Sequence, residues 1–106
     1  MDKSILIKAL NKYGATAQED ICIEELSELI KAILKLRRSA KYQQYSVNDC
    51  MTNLIEEIAD VEICIEYLKL INEQTSPDFR DKIEKAIEYK LRRLKDRMEK
   101  KQRKHT

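Results

Sequence analysis

The chain has 106 residues, 38% of them charged, and a formal net charge of +2. That length allows one domain with a modest core, and near-balanced charge gives no argument for nucleic acid as the partner. One glycine and one proline are too few turn formers for a sheet protein, whereas abundant Leu, Ile, Glu, Lys and Ala suit long helices.

The three cysteines, Cys22, Cys50 and Cys64, are odd in number and lack metal-type spacing, so no disulfide framework is expected. Cys22 and Cys64 fall in apolar helical stretches and read as small hydrophobes. Met1-Asp2-Lys3 leads into a short amphipathic run with no signal-peptide core. No stretch is long and apolar enough to cross a membrane, which makes a cytoplasmic protein with no membrane partner the expectation.

Four helices are expected in chain order. The first covers about Lys3 to Tyr13, with Ile5, Leu6, Ala9 and Leu10 on one side, and stops at Gly14, the single glycine. The second opens on a capping-box pattern, Thr16-Ala17-Gln18-Glu19, and runs to about Arg38. The polar stretch from Ser39 to Ser46 reads as a loop or helix end. The third helix starts at Val47 or Asn48 and runs to about Asn72. Ser76-Pro77 then reads as an N-cap followed by proline at the first helical position. The fourth helix runs from Pro77 to about Lys100, and the basic tail, about 100–106, is expected to fray. The fold class is therefore all-α: a single-domain four-helix bundle spanning 1–106.

The second and third helices carry a short internal repeat. Ile23-Glu24-Glu25-Leu26-Ser27-Glu28-Leu29 and Ile55-Glu56-Glu57-Ile58-Ala59-Asp60-Val61 both read apolar, acid, acid, apolar, small, acid, apolar. At about 100° per residue, Ile21, Cys22, Leu29, Ala32 and Leu36 fall in the sector of Glu25, with Glu28 at its margin one turn along. Leu54, Val61, Cys64, Leu68 and Ile71 surround Glu57 in the same way, and Asp60 takes the place of Glu28. Glu56, Glu62 and Glu66 point away, as solvated acids should. Each helix thus places two acids in its apolar stripe. Unpartnered buried carboxylates are costly, and crowding like charges costs more. Lys31 and Lys35 can flank Glu28, but the Glu57 sector holds no base. Acids on helices are usually just solvated; two matched pairs inside apolar stripes are less easily dismissed. Four converging carboxylates would form a hard anionic nest suited to Mg²⁺, with Mn²⁺ a second possibility and zinc disfavoured.

The pattern Glu24-Glu25-x-x-Glu28, a spacer, then Glu57-x-x-Asp60 resembles the paired acidic signature of MazG-like proteins, which belong to the all-α nucleotide pyrophosphohydrolases. The resemblance covers about Thr16 to Ile71 and extends loosely to the fourth helix, and the spacer from Leu29 to Glu56 is long for the family. It implies a helical bundle in which Glu25, Glu28, Glu57 and Asp60 hold Mg²⁺. The implied substrate is a nucleoside triphosphate, cleaved by water to a nucleoside monophosphate and pyrophosphate. Glu28 is the candidate for orienting the attacking water, and Glu24 is a weaker candidate ligand. Gln18 and Asn53 are candidate substrate contacts, although surface amides would look the same.

On the fourth helix, Ile83, Ala86, Ile87, Leu94 and Met98 read as an inner face. Lys90 falls within it and Arg93 and Arg97 beside it. These three are candidate phosphate contacts, against the plainer reading that long basic side chains snorkel to solvent. Tyr13, Tyr42 and Tyr45 could stack on a base or pack at helix ends. Ile23, Ile30 and Leu34 lie nearly opposite Glu25, and Ile55, Ala59 and Ile63 repeat this on the third helix. One four-helix layer cannot cover both sides, which predicts a subunit interface, and the resemblance implies a homodimer or homotetramer. Three rival readings remain: a non-catalytic helical interaction protein, a relative acting on a different phosphoanhydride such as phosphoribosyl-ATP or an alarmone, and a nucleic-acid-binding module using the tail from Arg92 to Lys104. Asp96 and Glu99 interrupt that tail, and it carries no recognition motif.

Overall fold

The computed structural model describes residues 1–42 and 46–105, with side chains described for 1–41 and 46–100. The described residues form four helices and no strand: α1 (Lys3–Tyr13), α2 (Ala15–Tyr42), α3 (Val47–Glu73) and α4 (Phe79–His105). The all-α, four-helix expectation is met. The chain divides into two compact units, Met1–Ile71 and Asn72–Thr106.

In the first unit, the Asp2 carboxylate accepts the Ser4 N–H at 3.0 Å and starts α1. Gly14 ends it as the sequence predicts: its φ of +91° lies in the region that favours glycine, and its N–H donates to the Leu10 carbonyl at 2.9 Å. The next helix begins at once. Thr16 therefore lies inside the first turn of α2 rather than forming the predicted capping box. The helix also runs past Arg38 to Tyr42, so the first part of the stretch read as a loop or helix end is helical. Ser39 is fully buried there, and its hydroxyl donates to the Leu36 carbonyl at 2.8 Å. A serine satisfied by its own helix need not end that helix. Ser46 starts α3 by accepting the Asp49 N–H at 3.3 Å.

Helices α2 and α3 pack closely and run antiparallel. The early part of α2 meets the late part of α3, where the Cys22 thiol donates to the Cys64 carbonyl at 3.4 Å. Further up α2, Lys35 shares a cleft with Cys50 and Asn53 from early α3. Leu6 of α1 closes one end of this seam with Cys22, Cys64 and Tyr67, backed by Ala9, Leu10, Leu68 and Leu70. Ile5, placed on the same face by periodicity, is instead exposed. Glu66, expected to be solvated, is buried with Lys3 3.9 Å away, tying α1 to α3.

In the second unit, α4 starts two residues later than the Ser76-Pro77 pattern suggests. Ser76 and Pro77 sit in a turn: the Ser76 carbonyl accepts the Phe79 N–H at 3.0 Å, and the Asp78 carbonyl accepts the Lys82 N–H at 3.0 Å. Arg80 pairs with Glu73 across this turn. The helical backbone continues through His105, beyond the predicted end at Lys100. From Glu84 to Lys100 every residue is exposed. Ala86, Ile87, Leu94 and Met98, read from sequence as an inner face, are therefore exposed, and Ile83 is half-buried.

Candidate metal centre

Antiparallel packing of α2 on α3 brings three acids together. Glu25, Glu57 and Asp60 each offer a carboxylate oxygen within 4.8 Å of the others, and all three residues are half-buried. Their neighbours along the seam are the predicted ones: Cys22, Ala32, Val61 and Cys64 are buried, while Leu29, Leu36, Leu54, Leu68 and Ile71 are half-buried. Ile21, assigned to the same sector, is exposed.

The electrostatics are those of an anion-rich pocket. Burial holds the Glu25 carboxyl above its ordinary range, and the nearby charges of Asp60 and Glu57 push it further the same way. Glu57 Oε2 is buried and has no hydrogen-bond partner. Such an atom is costly unless a proton or a cation meets it. Among the described residues no lysine or arginine forms an ion pair with Glu25, Glu57 or Asp60. Oxygen ligands of an octahedral magnesium ion lie at about 2.1 Å from it, which places neighbouring ligands about 3 Å apart. The three acids therefore need only small side-chain shifts to share one ion. The donor set is all oxygen, hard and anionic, as magnesium or manganese requires.

The Cys64 thiol is pushed up to about 12, first by burial and then by its hydrogen bond with Cys22 and the charges of Glu25 and Asp60. Cys64 thus stays a neutral packing group, buried with Cys22 in the cluster that Leu6 closes. Burial likewise raises the Tyr67 hydroxyl.

Glu28 is the predicted ligand left outside. It is exposed, and its Oε1 lies 3.4 Å from Lys31 Nζ. The two copies of the repeat differ here: the residue three after Asp60 is Ile63, whereas the residue three after Glu28 is Lys31, so only Glu28 has a base one turn along. Glu24, the weaker candidate, is also exposed. Gln18 is buried, at 5% exposure, one side of the seam from Cys22 on α2. Asn53 is half-buried and lines a cleft of about 180 Å³ with Lys35, Ser46, Asp49 and Cys50. Asp49 was not singled out from sequence, and neither Lys35 nor Cys50 was assigned to this cleft; Asp49 lies one turn before Asn53, which is itself one turn before Glu57. Lys90, Arg93 and Arg97 lie on α4 in the second unit, all exposed, with Arg93 5.7 Å from the Tyr89 ring centroid. Tyr13 is exposed with Lys12 over its ring at 5.3 Å. Tyr45 and the Tyr42 side chain lie outside the described residues.

No family model matches the chain, and no curated protein or solved structure matches it either.

Proposed function

We propose that this protein is a magnesium-dependent nucleoside triphosphate pyrophosphohydrolase, with Glu25, Glu57 and Asp60 as the metal-holding residues. One observation carries the reading: three half-buried carboxylates converge with no ion-pair partner among the described residues, and one of their oxygens, Glu57 Oε2, is buried without a hydrogen-bond partner there. A divalent cation would relieve both costs. When bound, it supplies charge neutralisation for the triphosphate and acidifies a coordinated water.

The remaining roles fall to the chain's own side chains. Glu28 stands one turn from Glu25, and its link to Lys31 is an exposed pair of the kind that is worth little. Swinging inward costs little, and Glu28 then orients the attacking water and takes its proton. The water oxygen bonds to a phosphorus of the triphosphate as the bond to the pyrophosphate leaving group breaks, giving a nucleoside monophosphate. Gln18 and Asn53 are the substrate-contacting amides in this reading. Self-association as a dimer or tetramer belongs to the same reading.

The test is a panel of nucleoside triphosphates with Mg²⁺, read by pyrophosphate release, with Glu57→Gln as control. Turnover that vanishes in the variant supports the reading. Absence of turnover with every nucleotide, with or without manganese, removes the enzymatic claim. The second reading, a non-catalytic helical interaction protein, draws on the exposed apolar residues of α2, α3 and α4. It predicts no turnover and no rise in melting temperature with magnesium.

A further inference from the structure

The outward face of α2 is apolar in the middle and oppositely charged at its two ends. Ile23, Leu26, Ile30, Ile33 and Leu34 are all exposed, from 39% at Ile33 to 67% at Ile23. At about 100° per residue they fall within one sector of the helix, and Ile23, Ile30 and Leu34 lie nearly opposite Glu25 and the buried Ala32. Glu19 and Asp20 flank the stripe at its start, and Arg37 and Arg38 flank it at its end; all four are exposed. A run of five large apolar side chains on the surface of so charged a chain marks a contact surface rather than scattered exposure. Its charge layout says what fits it. Turned end for end, the stripe is complementary to itself.

We propose that α2 pairs antiparallel with α2 of a second copy of this chain about a two-fold axis between Ser27 and Ile30. The arithmetic of the pairing is simple. Residues whose numbers sum to about 57 face one another, so Ile23 meets the partner copy's Leu34, and Leu26 meets its Ile30 and Ile33. Glu19 and Asp20 then meet the partner copy's Arg38 and Arg37. The contact is isologous and closes at two subunits. It spans residues 19 to 38, roughly 29 Å of helix. A parallel pairing would set acid against acid and base against base, and a partner of a single charge would be repelled at one end. The mixed polarity therefore selects the chain itself over an acidic or a basic partner. The face lies opposite the acids, so the pairing leaves Glu25, Glu57 and Asp60 accessible from the seam side.

This deepens the self-association in the function proposed above and is independent of hydrolysis, so it is tested without nucleotide. Two charge variants are prepared, one carrying Glu19→Arg and Asp20→Arg, the other Arg37→Glu and Arg38→Glu. Circular dichroism checks that each stays helical. Sedimentation is measured over a concentration series for the wild type, each variant alone, and their equimolar mixture. The expected result is a wild-type dimer, at least a tenfold weaker dimer for each variant alone, and recovery of the dimer in the mixture, where each end again joins acid to base. A monomeric wild type at micromolar concentration overturns self-association itself. A wild-type dimer that both variants leave unchanged, or a mixture that does not recover, overturns the α2 surface while leaving the hydrolase reading untouched.

Discussion

At the scale of single residues, the centre is defined by what its carboxylates lack. Glu57→Gln removes the charge of the one acid with a buried, unpaired oxygen. It is expected to lower turnover by at least about a hundredfold, in line with loss of charge stabilisation at a reacting phosphate, as read by pyrophosphate release at saturating magnesium. Lys31→Ala frees Glu28 from its only described ion-pair partner and is expected to tighten magnesium binding about two- to fivefold, the scale of an exposed pair. Titration calorimetry measures this, and unchanged affinity would leave Glu28 outside the site. The raised Glu25 gives a pH prediction with a definite sign. Its folded pKa lies above the ordinary value of 4.5, so the folded state binds the proton more tightly than the unfolded state. Its contribution to stability is then fully present below pH 4.5 and is lost as pH rises through the folded pKa. In chelator, melting temperature should fall over that window. Glu25→Gln should flatten the fall, and magnesium should reverse it at higher pH.

At the scale of elements, two contacts position the seam that carries the acids. Leu6 is the buried residue of α1 and packs on Cys22, Cys64 and Tyr67. Leu6→Ala should cost about 2–4 kcal/mol by chemical denaturation, as buried leucine truncations do. Because this cluster lies one turn from the acids on both helices, magnesium affinity should weaken along with stability. Gly14 is the other. A Cβ there would meet nothing within 4 Å, so the cost of Gly14→Ala comes from its φ of +91° alone. That cost should be about 1 kcal/mol, and a larger loss would mean the α1–α2 junction tolerates no relaxation.

At the scale of the whole molecule, binding to the folded chain alone raises its stability by mass action. At a magnesium concentration one hundred times its Kd, the gain is about 2.7 kcal/mol. A rise in melting temperature of several degrees with Mg²⁺, abolished by Glu57→Gln and absent with Na⁺ at equal ionic strength, is the expected outcome. Much of the molecule was legible beforehand, and for definite reasons. A lone glycine with a helix on each side has little to do but end one of them. Apolar residues at helical spacing identified the sectors of Glu25 and Glu57 because periodicity records which side of a helix avoids water. Ser39 was less legible, since a polar residue satisfied by its own backbone looks like a loop residue in the sequence. The cleft at Lys35, Asp49 and Asn53 was illegible because its walls come from two helices whose register no local pattern records.

The sequence by itself determined the helices, their apolar stripes and the acids embedded in them, because those depend on local spacing and on the cost of placing charge among hydrophobes. Only the tertiary structure decided which acids meet. The antiparallel register, marked by the contact of Cys22 with Cys64, joins Glu25 to Glu57 and Asp60, while Glu28 stays exposed beside Lys31. It also decided that the stripe on α4 and the outer stripe of α2 stay exposed. Periodicity tells a helix which face to bury but not against what, since that partner is chosen by contacts between segments far apart in the chain.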